Sequence, residues 1–408
     1  MEIKENSSVL EAIGQRDKWI EFLNYKLEKG HLNQYEMKLF QDYIKDERYL
    51  VAYEQIKEGI FPSEYATKKM VNKSGTKKKR VVYSYSVEIN IALKFIAHHL
   101  YIYDDRLEKN CYAFRKNYGV GQALWRLVHT PDIENMYCYK VDIQDYFNSI
   151  DVTLLLEKLD FVKEDDEKLY GVFQNILMQK YVNFNGHVIA EDHGAMAGIP
   201  IAPFFANIYL QKADDFFAKN NVVYFRYSDD ILIFAHSLDE LEIHKEVFSR
   251  LLREHKLVVN PSKISEKGPG EKLEFLGFSY ESGKLDLSDN TRRKIKGKIK
   301  RKAEALRRWQ RMKNLAPEKA AIGFINAMNK KFYGYSDEDE FTWERWFFPN
   351  LTVTDGLKEI DHYMQQYIRY CVTGRHYKGN YRITYEQMKE WGYRNLVHAY
   401  YEWHKKAI

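Results

Sequence analysis

The chain has 408 residues, with 63 Lys and Arg against 58 Asp and Glu and a net charge of +5. This length is enough for more than one packed unit. Three cysteines without paired spacing, Cys111, Cys138 and Cys371, argue against a disulfide framework and a zinc site and fit a reducing cytosol. The N-terminal residues lack an apolar signal core, and no apolar run is long enough to span a bilayer, so we expect a cytoplasmic protein.

The first half of the chain alternates helical and extended patterns. Periodic apolar residues predict helices over 1–60 and 87–109. Between them, residues 72–86 predict a turn, a basic cluster and a strand. The apolar run MYCYKVDI at 136–143 predicts a strand, and TLLLEKL at 153–159 predicts the start of a helix.

The second half continues the alternation. Helical patterns cover 203–219 and 238–256, and the apolar runs of 222–235 between them predict a hairpin. Short strands are predicted at 273–280 and 284–287. Together these patterns favour an α+β fold, with an antiparallel sheet that carries the hairpin and helices packed on one face.

A strongly basic stretch follows the last predicted strand. Residues 292–313 hold twelve Lys or Arg and one Glu, and their apolar residues have helical spacing. A solvated helix surface is one interpretation, but so few acids offset the charge that we favour a contact with a phosphate backbone. From about 315 onward the pattern is helical and aromatic, and the acidic run SDEDE at 336–340 predicts a solvated loop at a unit boundary.

The hairpin VVYFRYSDDILIFA places two adjacent carboxylates, Asp229 and Asp230, at its tip. Turn formation alone is one explanation, because Asp is a common turn residue. A third acid, Asp142, ends the strand of 136–143, and a neighbouring position of the two strands would bring all three together. Clustered carboxylates repel one another unless a cation neutralises them. Hard oxygen ligands favour Mg²⁺, and two such ions support phosphoryl transfer.

Tyr227-Ser228-Asp229-Asp230 resembles the YxDD box of reverse transcriptases, and the other palm motifs of that family occur in the same order along the chain. Asp142 matches the metal-binding acid of the first motif. The stretch GAMAGIPIAPFFANIYL at 194–210, LVVNPSKIS at 257–265 and FLGF at 275–278 resemble the second, fourth and fifth motifs. The resemblance implies a right-hand polymerase with fingers, palm and thumb. It also implies a set of palm residues with distinct roles: metal ligands Asp142, Asp229, Asp230 and the backbone carbonyl of Ile143, the steric gate Phe147, the second-motif residues Gly198, Pro203 and Asn207, the catalytic Lys263, and the primer contacts Tyr227 and Gly277.

Two upstream segments, KKKRVVYSYS at 77–86 and CYAFRKNYGVGQAL at 111–124, look like the fingers motifs of bacterial members. The resemblance then implies that Lys79, Arg80 and Arg115 hold the incoming triphosphate by charge-assisted hydrogen bonds. It also implies that Phe147 and Gly198 belong to the dNTP-binding site. The basic stretch falls where the thumb follows the palm. There it would contact the template–primer backbone through Arg292, Arg293, Lys296 and Lys300.

Several of these residues have simpler interpretations that the sequence leaves open. Asp145 and Asp151 are better explained as turn or cap residues than as ligands. Phe147 also fits a core aromatic, Tyr227 strand packing and Lys263 an ordinary loop lysine. One position departs from the family: many members carry Gln before the second-motif glycine, and here it is Ala197. This puts fidelity or the usual template reading in doubt.

The resemblance covers roughly residues 60–310. The C-terminal residues look like the helical extension of group II intron-like, unclassified reverse transcriptases of antiphage defence. We expect five parts: a helical N-terminal segment (1–60), fingers (61–135), palm (136–290), a basic helical thumb (291–335) and a helical C-terminal extension (336–408). The extension suits either RNA contact or bracing of the thumb.

The expected function is RNA-directed DNA synthesis from dNTPs with two Mg²⁺ ions, for which Mn²⁺ is a possible substitute. The template would be RNA, a cognate non-coding RNA in this interpretation, and the product DNA. Three alternatives remain: a template-independent or protein-primed polymerase on the same palm, a retron- or intron-type enzyme, and a catalytically silent RNA-binding protein. The last predicts loss of an acid, and all three acids are present.

Overall fold

The protein, a computed structural model, is described at residues 8–29, 32–72, 79–334 and 342–406. The acidic run at 336–340 and most of the predicted turn and basic cluster after residue 72 lie outside these residues. The chain divides into two compact units, one built from residues up to 123 with 135–269 and the other from 124–134 with residues from 270 onward. The five parts expected from the family are defined by their roles in a polymerase and not by compactness, so that division stays a prediction.

The N-terminal segment is helical, as predicted for 1–60. Its helices are α1 (Val9–Ile13), α2 (Arg16–Glu28), α3 (Gln34–Lys45) and α4 (Tyr49–Glu58). Trp19 of α2 is fully buried, and its ring stacks on that of Phe95 with centroids 4.1 Å apart. These helices therefore share one hydrophobic core with the rest of the first unit.

The middle of the first unit alternates strands with helices. In chain order its elements are β1 (Thr67–Asn72), β2 (Lys79–Ser84), α5 (Val87–His99), the 3-10 helix Leu100–Arg106, α6 (Val120–His129, which crosses the unit boundary), the 3-10 helix Ile133–Asn135, β3 (Tyr137–Asp142), the 3-10 helix Tyr146–Ser149, α7 (Val152–Lys158), α8 (Asp160–Asp165) and α9 (Glu167–Leu177). The remaining elements are β4 (Tyr181–Phe184), β5 (His187–Ala190), α10 (Ala202–Tyr209), α11 (Gln211–Lys219), β6 (Tyr224–Tyr227), β7 (Asp230–Ala235), α12 (Leu238–Glu254), the 3-10 helix Pro261–Lys263 and β8 (Ser265–Lys267).

The central sheet has the strand order β6-β7-β3-β8, and every pair in it is antiparallel. Apolar residues of β7 from Ile231 to Ala235 are buried, and α12 packs on β3 and β7. Burial of this apolar run stabilises the pairing, because each fully buried aliphatic side chain contributes about 1.5–3 kcal/mol. The predicted hairpin and the predicted α+β arrangement are confirmed.

A second sheet of the first unit, β2-β1-β4-β5, was not fully anticipated. Its β4–β5 hairpin turns at Asn185-Gly186, where both residues have positive φ, 51° and 84°. Asn-Gly is the favoured sequence of such two-residue turns, so the sequence contained the signal. Strand β1 pairs in parallel with β4, a long-range contact that no local pattern shows.

Two helical predictions need correction. The helix expected over 203–219 is two helices, α10 and α11, separated at Leu210 with φ −97° and ψ 6°. An apolar residue inside an apolar pattern gives no sign of this break. The helix expected over 87–109 continues only to His99 as an α-helix, and a 3-10 helix follows it.

The second unit contains a small sheet and a helical bundle. Its elements are β9 (Leu273–Phe275), β10 (Phe278–Glu281), β11 (Lys284–Leu287), α13 (Asp289–Met312), α14 (Pro317–Tyr333), α15 (Trp343–Phe347), the 3-10 helix Phe348–Asn350, α16 (Asp355–Thr373), the 3-10 helix Lys378–Arg382, α17 (Tyr385–Glu390) and α18 (Leu396–Lys406). The strand predicted over 273–280 is two strands, because Leu276 and Gly277 have positive φ, 51° and 91°, and form a turn.

The basic stretch forms the long helix α13, as predicted. Its apolar face, with Ile295, Ile299 and Ala303 buried, packs on α14 and α16. Residues after 315 are helical wherever the structure describes them. Within the described ranges, no helix combines the length and the apolar character that crossing a bilayer requires.

Candidate active site

The YSDD step forms the turn of the hairpin between β6 and β7. Tyr227 and Asp230 face each other as the last paired residues, and Ser228 has a positive φ of 62°. A two-residue turn of this kind matches the twist of the strands when its first residue has positive φ. The turn holds Asp229 and Asp230 at the end of a buried hairpin, where the two carboxylates lie at the edge of the core.

Asp142 lies directly opposite Asp230, because β3 and β7 are neighbours in the central sheet. The Ile143 N–H donates to the Asp229 carbonyl oxygen at 3.2 Å, which ties the end of β3 to the turn. The structure thus brings together the three carboxylates that the sequence singled out, as well as Ile143. Their metal-binding roles, including that of the Ile143 carbonyl, stay predictions.

Burial and neighbouring negative charges disfavour ionisation of Asp229 and Asp230. Burial, with the neighbouring Asp142 charge as the second cause, raises the pKa of Asp229 to about 6. Burial also raises the pKa of Asp230, against the opposite effect of the nearby Lys140 ammonium. Two adjacent carboxylates with raised pKa values are typical of a functional centre.

Two lysines neutralise two of the three acids. The Lys263 ammonium hydrogen-bonds Asp142 Oδ2, and Lys140 Nζ lies 3.4 Å from Asp230 Oδ1. Lys263 belongs to the 3-10 helix Pro261–Lys263. The N–H of Asn260, just before this helix, donates to the Asp142 carbonyl at 2.8 Å and so holds the helix beside the end of β3. Lys263 was predicted for this site, whereas Lys140 was not.

The three carboxylates supply the hard oxygen donors that a divalent cation prefers, but their present arrangement is not a complete metal site. In the described part of the chain, no three His, Cys, Asp or Glu side chains form a group that could hold a metal ion. Lysine ammonium groups hold Asp142 and Asp230 instead. Asp230 Oδ1 is nevertheless buried without a hydrogen bond. Buried carboxylate oxygens that repel one another are the ligands that Mg²⁺ binds in combination with substrate phosphates.

Phe147, the predicted gate, lies in the 3-10 helix five residues after Asp142 and is half-buried. The Phe114 ring has its centroid 6.3 Å from the Phe147 ring and 6.4 Å from the Tyr227 ring. The structure therefore places Phe147 and Tyr227 around one shared aromatic neighbour, next to the carboxylates.

The second-motif loop is packed tightly between this 3-10 helix and β2. A Cβ at Gly194 would lie 2.5 Å from the Phe147 carbonyl oxygen. Gly198 has a φ of 108°, and its Cβ would lie 2.9 Å from the Tyr83 carbonyl oxygen. Between them, the Ala197 carbonyl accepts from the Tyr83 N–H at 2.7 Å. Glycine is required at these positions because the backbone segments approach closely.

The three predicted triphosphate ligands have different surroundings. Lys79 and Arg80 are exposed on β2, opposite Asn72 and Val71 of β1, and stay candidates. Arg115 is only 7 % exposed. Its guanidinium donates to four carbonyl oxygens, those of Asp104, Leu107, Glu108 and Cys111, at 2.7 to 3.2 Å. These contacts hold the loop together, and the triphosphate role of Arg115 stays a prediction.

The predicted template–primer contacts of the second unit also differ in their surroundings. Arg292 Nη1 lies 3.2 Å from Glu359 Oε2, and Lys296 hydrogen-bonds Glu359 Oε1. These two cations stabilise the packing of α13 on α16. Arg293 and Lys300 are exposed, and phosphate contact by all four residues stays a prediction. Gly277 forms the β9–β10 turn, where its carbonyl accepts from the Thr291 hydroxyl at 2.8 Å.

A buried polar network beneath the hairpin was missed. Arg226, fully buried, forms an ion pair with Asp214 and donates to Asn207 Oδ1 at 3.2 Å. Asn207 in turn donates to the Ala113 carbonyl at 2.8 Å. Arg226 directly precedes Tyr227, so a charged residue inside an apolar strand was the available signal.

Comparisons with known proteins agree with this geometry. Residues 70–280, about half of the chain, match the family model described as reverse transcriptase (RNA-dependent DNA polymerase). The retron Ec86 reverse transcriptase of Escherichia coli is 21% identical over 175 residues, which cover 42% of this chain and 50% of that protein. The retron Ec73 reverse transcriptase of the same species is 25% identical over 157 residues, covering 35% and 45%. The chain thus spans about half the length of the curated relatives it matches.

Two solved telomerase structures have a weaker likeness. That of Candida albicans with a fragment of telomeric RNA has a TM-score of 0.44 at 12% identity and covers 86% of this chain and 68% of its own. That of apo Candida tropicalis telomerase, truncated from its C-terminal domain, has a TM-score of 0.43 at 13% identity and covers 55% of each chain. The family match, joined to the antiparallel sheet with its helical cover, confirms the predicted α+β fold of a right-hand polymerase. The chain belongs to the reverse transcriptase family.

Proposed function

We propose that this protein is an RNA-directed DNA polymerase that adds dNTPs to a 3′ end. The observation that carries the proposal is the direct opposition of Asp142 and Asp230 across β3 and β7, with Asp229 in the adjoining turn. A protein that only bound RNA would gain nothing from three repelling carboxylates at one sheet edge, which cost folding free energy. The family match over residues 70–280 supports the same reaction.

The chain's own groups have distinct roles in this proposal. Two divalent cations, Mg²⁺ or Mn²⁺ in its place, would be held by Asp142, Asp229, Asp230 and the Ile143 carbonyl and would stabilise the attacking and leaving oxygens of the phosphoryl transfer. Lys263 would donate a proton to, or hold, the departing pyrophosphate. Its side chain is 52% exposed and reaches Asp142 from the surface, so it has the freedom to turn toward a substrate.

Phe147 would select deoxynucleotides by occupying the space of a 2′-hydroxyl. Phe147→Val is expected to keep DNA synthesis and to raise ribonucleotide incorporation relative to deoxynucleotide incorporation by about tenfold or more, because discrimination by a steric contact is lost with the ring. Primer extension with each dNTP against its rNTP measures the ratio. Tyr146→Phe is the matched control: it alters the same turn by removing a hydroxyl that donates to the Ala206 carbonyl, and it leaves the gate ring in place. An unchanged ratio in Phe147→Val would remove the gate assignment.

The template, product, cellular location and lineage are proposals, because the comparisons give the family alone. We infer an RNA template, a DNA product and a cytoplasmic location, and we keep a cognate non-coding RNA and antiphage defence as the setting. The group II intron-like lineage is part of this proposal. A retron-type enzyme is compatible with the two named relatives, both retron reverse transcriptases. Genome neighbourhood distinguishes the lineages.

A template-independent polymerase is the second candidate, and Ala197 is the observation that favours it. The Ala197 backbone is held by Asn148 and Tyr83 on its two sides, at 3.2 and 2.7 Å. Its methyl group offers no hydrogen bond to a nascent base pair, in contrast to the amide that many family members have at this position.

Sequencing the product tests the proposed function. The full chain is purified from its native host context with bound nucleic acid and supplied with labelled dNTPs and Mg²⁺, beside Asp229→Ala/Asp230→Ala. A product complementary to one co-purified RNA and absent from the variant is the expected result. A homopolymer, or a sequence unrelated to any bound RNA, would favour the template-independent polymerase. No product, even on added primer–template, would contradict both.

A further inference from the structure

Lys140 lies on the same face of β3 as Asp142, two residues before it, because successive strand residues point to opposite faces. Its Cα partner on β7 is Leu232, so Asp230 is its diagonal neighbour across the strand pair. Long side chains reach diagonal neighbours in an antiparallel sheet. The Lys140 Nζ thereby comes within 3.4 Å of Asp230 Oδ1, with the two side chains 22% and 26% exposed.

Lys140 offsets a repulsion between two carboxylates of the sheet. Asp142 and Asp230 are Cα partners, and like charges directly opposite each other destabilise a strand pair. Lys263 neutralises Asp142 from an exposed loop and already has a proposed role at the pyrophosphate, whereas Lys140 has no role in the proposed reaction. Lys140 is therefore a feature of this chain that the proposed reaction has not used.

We propose that Lys140 is a built-in counter-ion of Asp230 that competes with the divalent cation for this carboxylate and sets the cation concentration at which the site fills. The inference rests on the metal-binding role proposed above for Asp142, Asp229 and Asp230. It deepens that role by naming the residue that opposes metal entry.

The competition follows from Coulomb's law. A unit charge a few ångströms from a divalent cation, at the effective dielectric constant of about 20 that suits protein sites, repels it by several kcal/mol. Partial relaxation lowers this figure, because an ammonium on a flexible, partly exposed stem can turn toward water. The cation must therefore displace Lys140 from Asp230, and the displacement weakens binding.

Direct binding of Mn²⁺ tests the proposal. Free Mn²⁺ is measured by electron paramagnetic resonance during titration of the full chain, without nucleotide or nucleic acid. We expect Lys140→Met to bind Mn²⁺ with a Kd about tenfold lower than the wild type. In EDTA, Lys140→Met is expected to have a lower Tm than the wild type, and Mn²⁺ is expected to raise its Tm by more. Lys140→Gln, a polar variant without the charge, replaces Lys140→Met if the latter does not fold.

The control variant is Lys245→Met. Lys245 has the same side-chain exposure, 22%, and pairs with Glu242 and Glu266 at 2.6 Å, neither of which is a predicted metal ligand. It is expected to lose stability without a change in the Kd of Mn²⁺.

Two outcomes would overturn the inference in distinguishable ways. An equal Kd in the wild type and both Lys140 variants would leave the metal site standing and reduce Lys140 to a purely stabilising residue. The metal role itself is tested with Asp229→Ala/Asp230→Ala, which should abolish Mn²⁺ binding. If neither the wild type nor the Lys140 variants bind Mn²⁺ at a site that this double variant removes, the proposed metal role is overturned, and the inference with it.

Discussion

Asp229→Asn is expected to lower the rate of DNA synthesis by about a thousandfold or more and to leave the folded protein at least as stable as the wild type. Asparagine keeps the shape of the side chain and loses its charge. Removing charge stabilisation worth several kcal/mol from a phosphoryl-transfer transition state corresponds to a rate loss of about this size. Primer extension under single-turnover conditions measures the rate.

The stability half of this expectation follows from the sign of the pKa shift. Burial, and next the charge of Asp142, raise the pKa of Asp229 in the folded protein to about 6, above its ordinary value of 3.8. The ionised form is therefore less favourable in the folded than in the unfolded chain, and at pH 8 it lowers the free energy of unfolding. A neutral asparagine removes this cost. Urea denaturation at pH 8 in EDTA measures the difference.

Asp151→Asn is the control for this substitution. Asp151 accepts from the Leu154 N–H at 3.0 Å as the N-cap of α7, and asparagine caps a helix equally well. The variant also loses an exposed ion pair with Lys256, which is worth little. Activity near that of the wild type is expected. If Asp229→Asn kept more than about a tenth of the wild-type rate, Asp229 would not be a metal ligand of the kind proposed.

The centre of the site is the part that the sequence predicts best. The hairpin of 222–235 and the strand ending at Asp142 consist of short apolar runs with turn residues between them, a local pattern. Once both strands lie in one antiparallel sheet, the acids at their ends meet, as the register of Asp142 and Asp230 shows. The β4–β5 hairpin has an equally local signal in Asn185-Gly186, a dipeptide typical of two-residue hairpin turns.

Long-range packing explains what the sequence could not show. Motif order placed Arg115 among the triphosphate ligands, but its burial depends on how residues 104–111 fold around it. The basic helix was predicted as a cationic surface, yet which cations remain exposed depends on Glu359, more than sixty residues from Arg292 and Lys296. Charge and periodicity give the face of a helix, and the partner helix decides which charges are neutralised.

Arg226→Met is expected to lower the free energy of unfolding by about 3–5 kcal/mol, since removing one partner of a buried ion pair leaves the other charge unpaired. Arg226 and Asp214 are both fully buried, and the Arg226 Nε lies 2.8 Å from Asp214 Oδ1. Methionine fills most of the volume but cannot neutralise Asp214. Urea denaturation measures the loss, with Lys212→Met as the control, because Lys212 pairs with Glu254 at the surface and contributes little.

The double variant Arg226→Met/Asp214→Leu distinguishes the cost of an unpaired Asp214 charge from the loss of the other contacts that the Arg226 guanidinium makes. Replacing both members of a buried pair by apolar residues is often neutral or stabilising, so the double variant is expected to recover to within about 1 kcal/mol of the wild type. A double variant as unstable as Arg226→Met would show that Asn207 and the segment around Cys111, rather than Asp214, depend on the guanidinium.

The same double variant shows what the network does for the reaction. The Arg226 N–H donates to the Asn110 carbonyl, and its own carbonyl accepts from the Tyr112 N–H, both at 2.9 Å, so β6 is held to the segment that leads to Phe114. The guanidinium adds the contact to Asn207, which holds the Ala113 carbonyl. Without it, Phe114, Tyr227 and the turn that carries Asp229 lose a shared support. The double variant is therefore expected to synthesise DNA with a lower kcat than the wild type, despite its recovered stability. A kcat equal to that of the wild type would show that Arg226 acts only in folding.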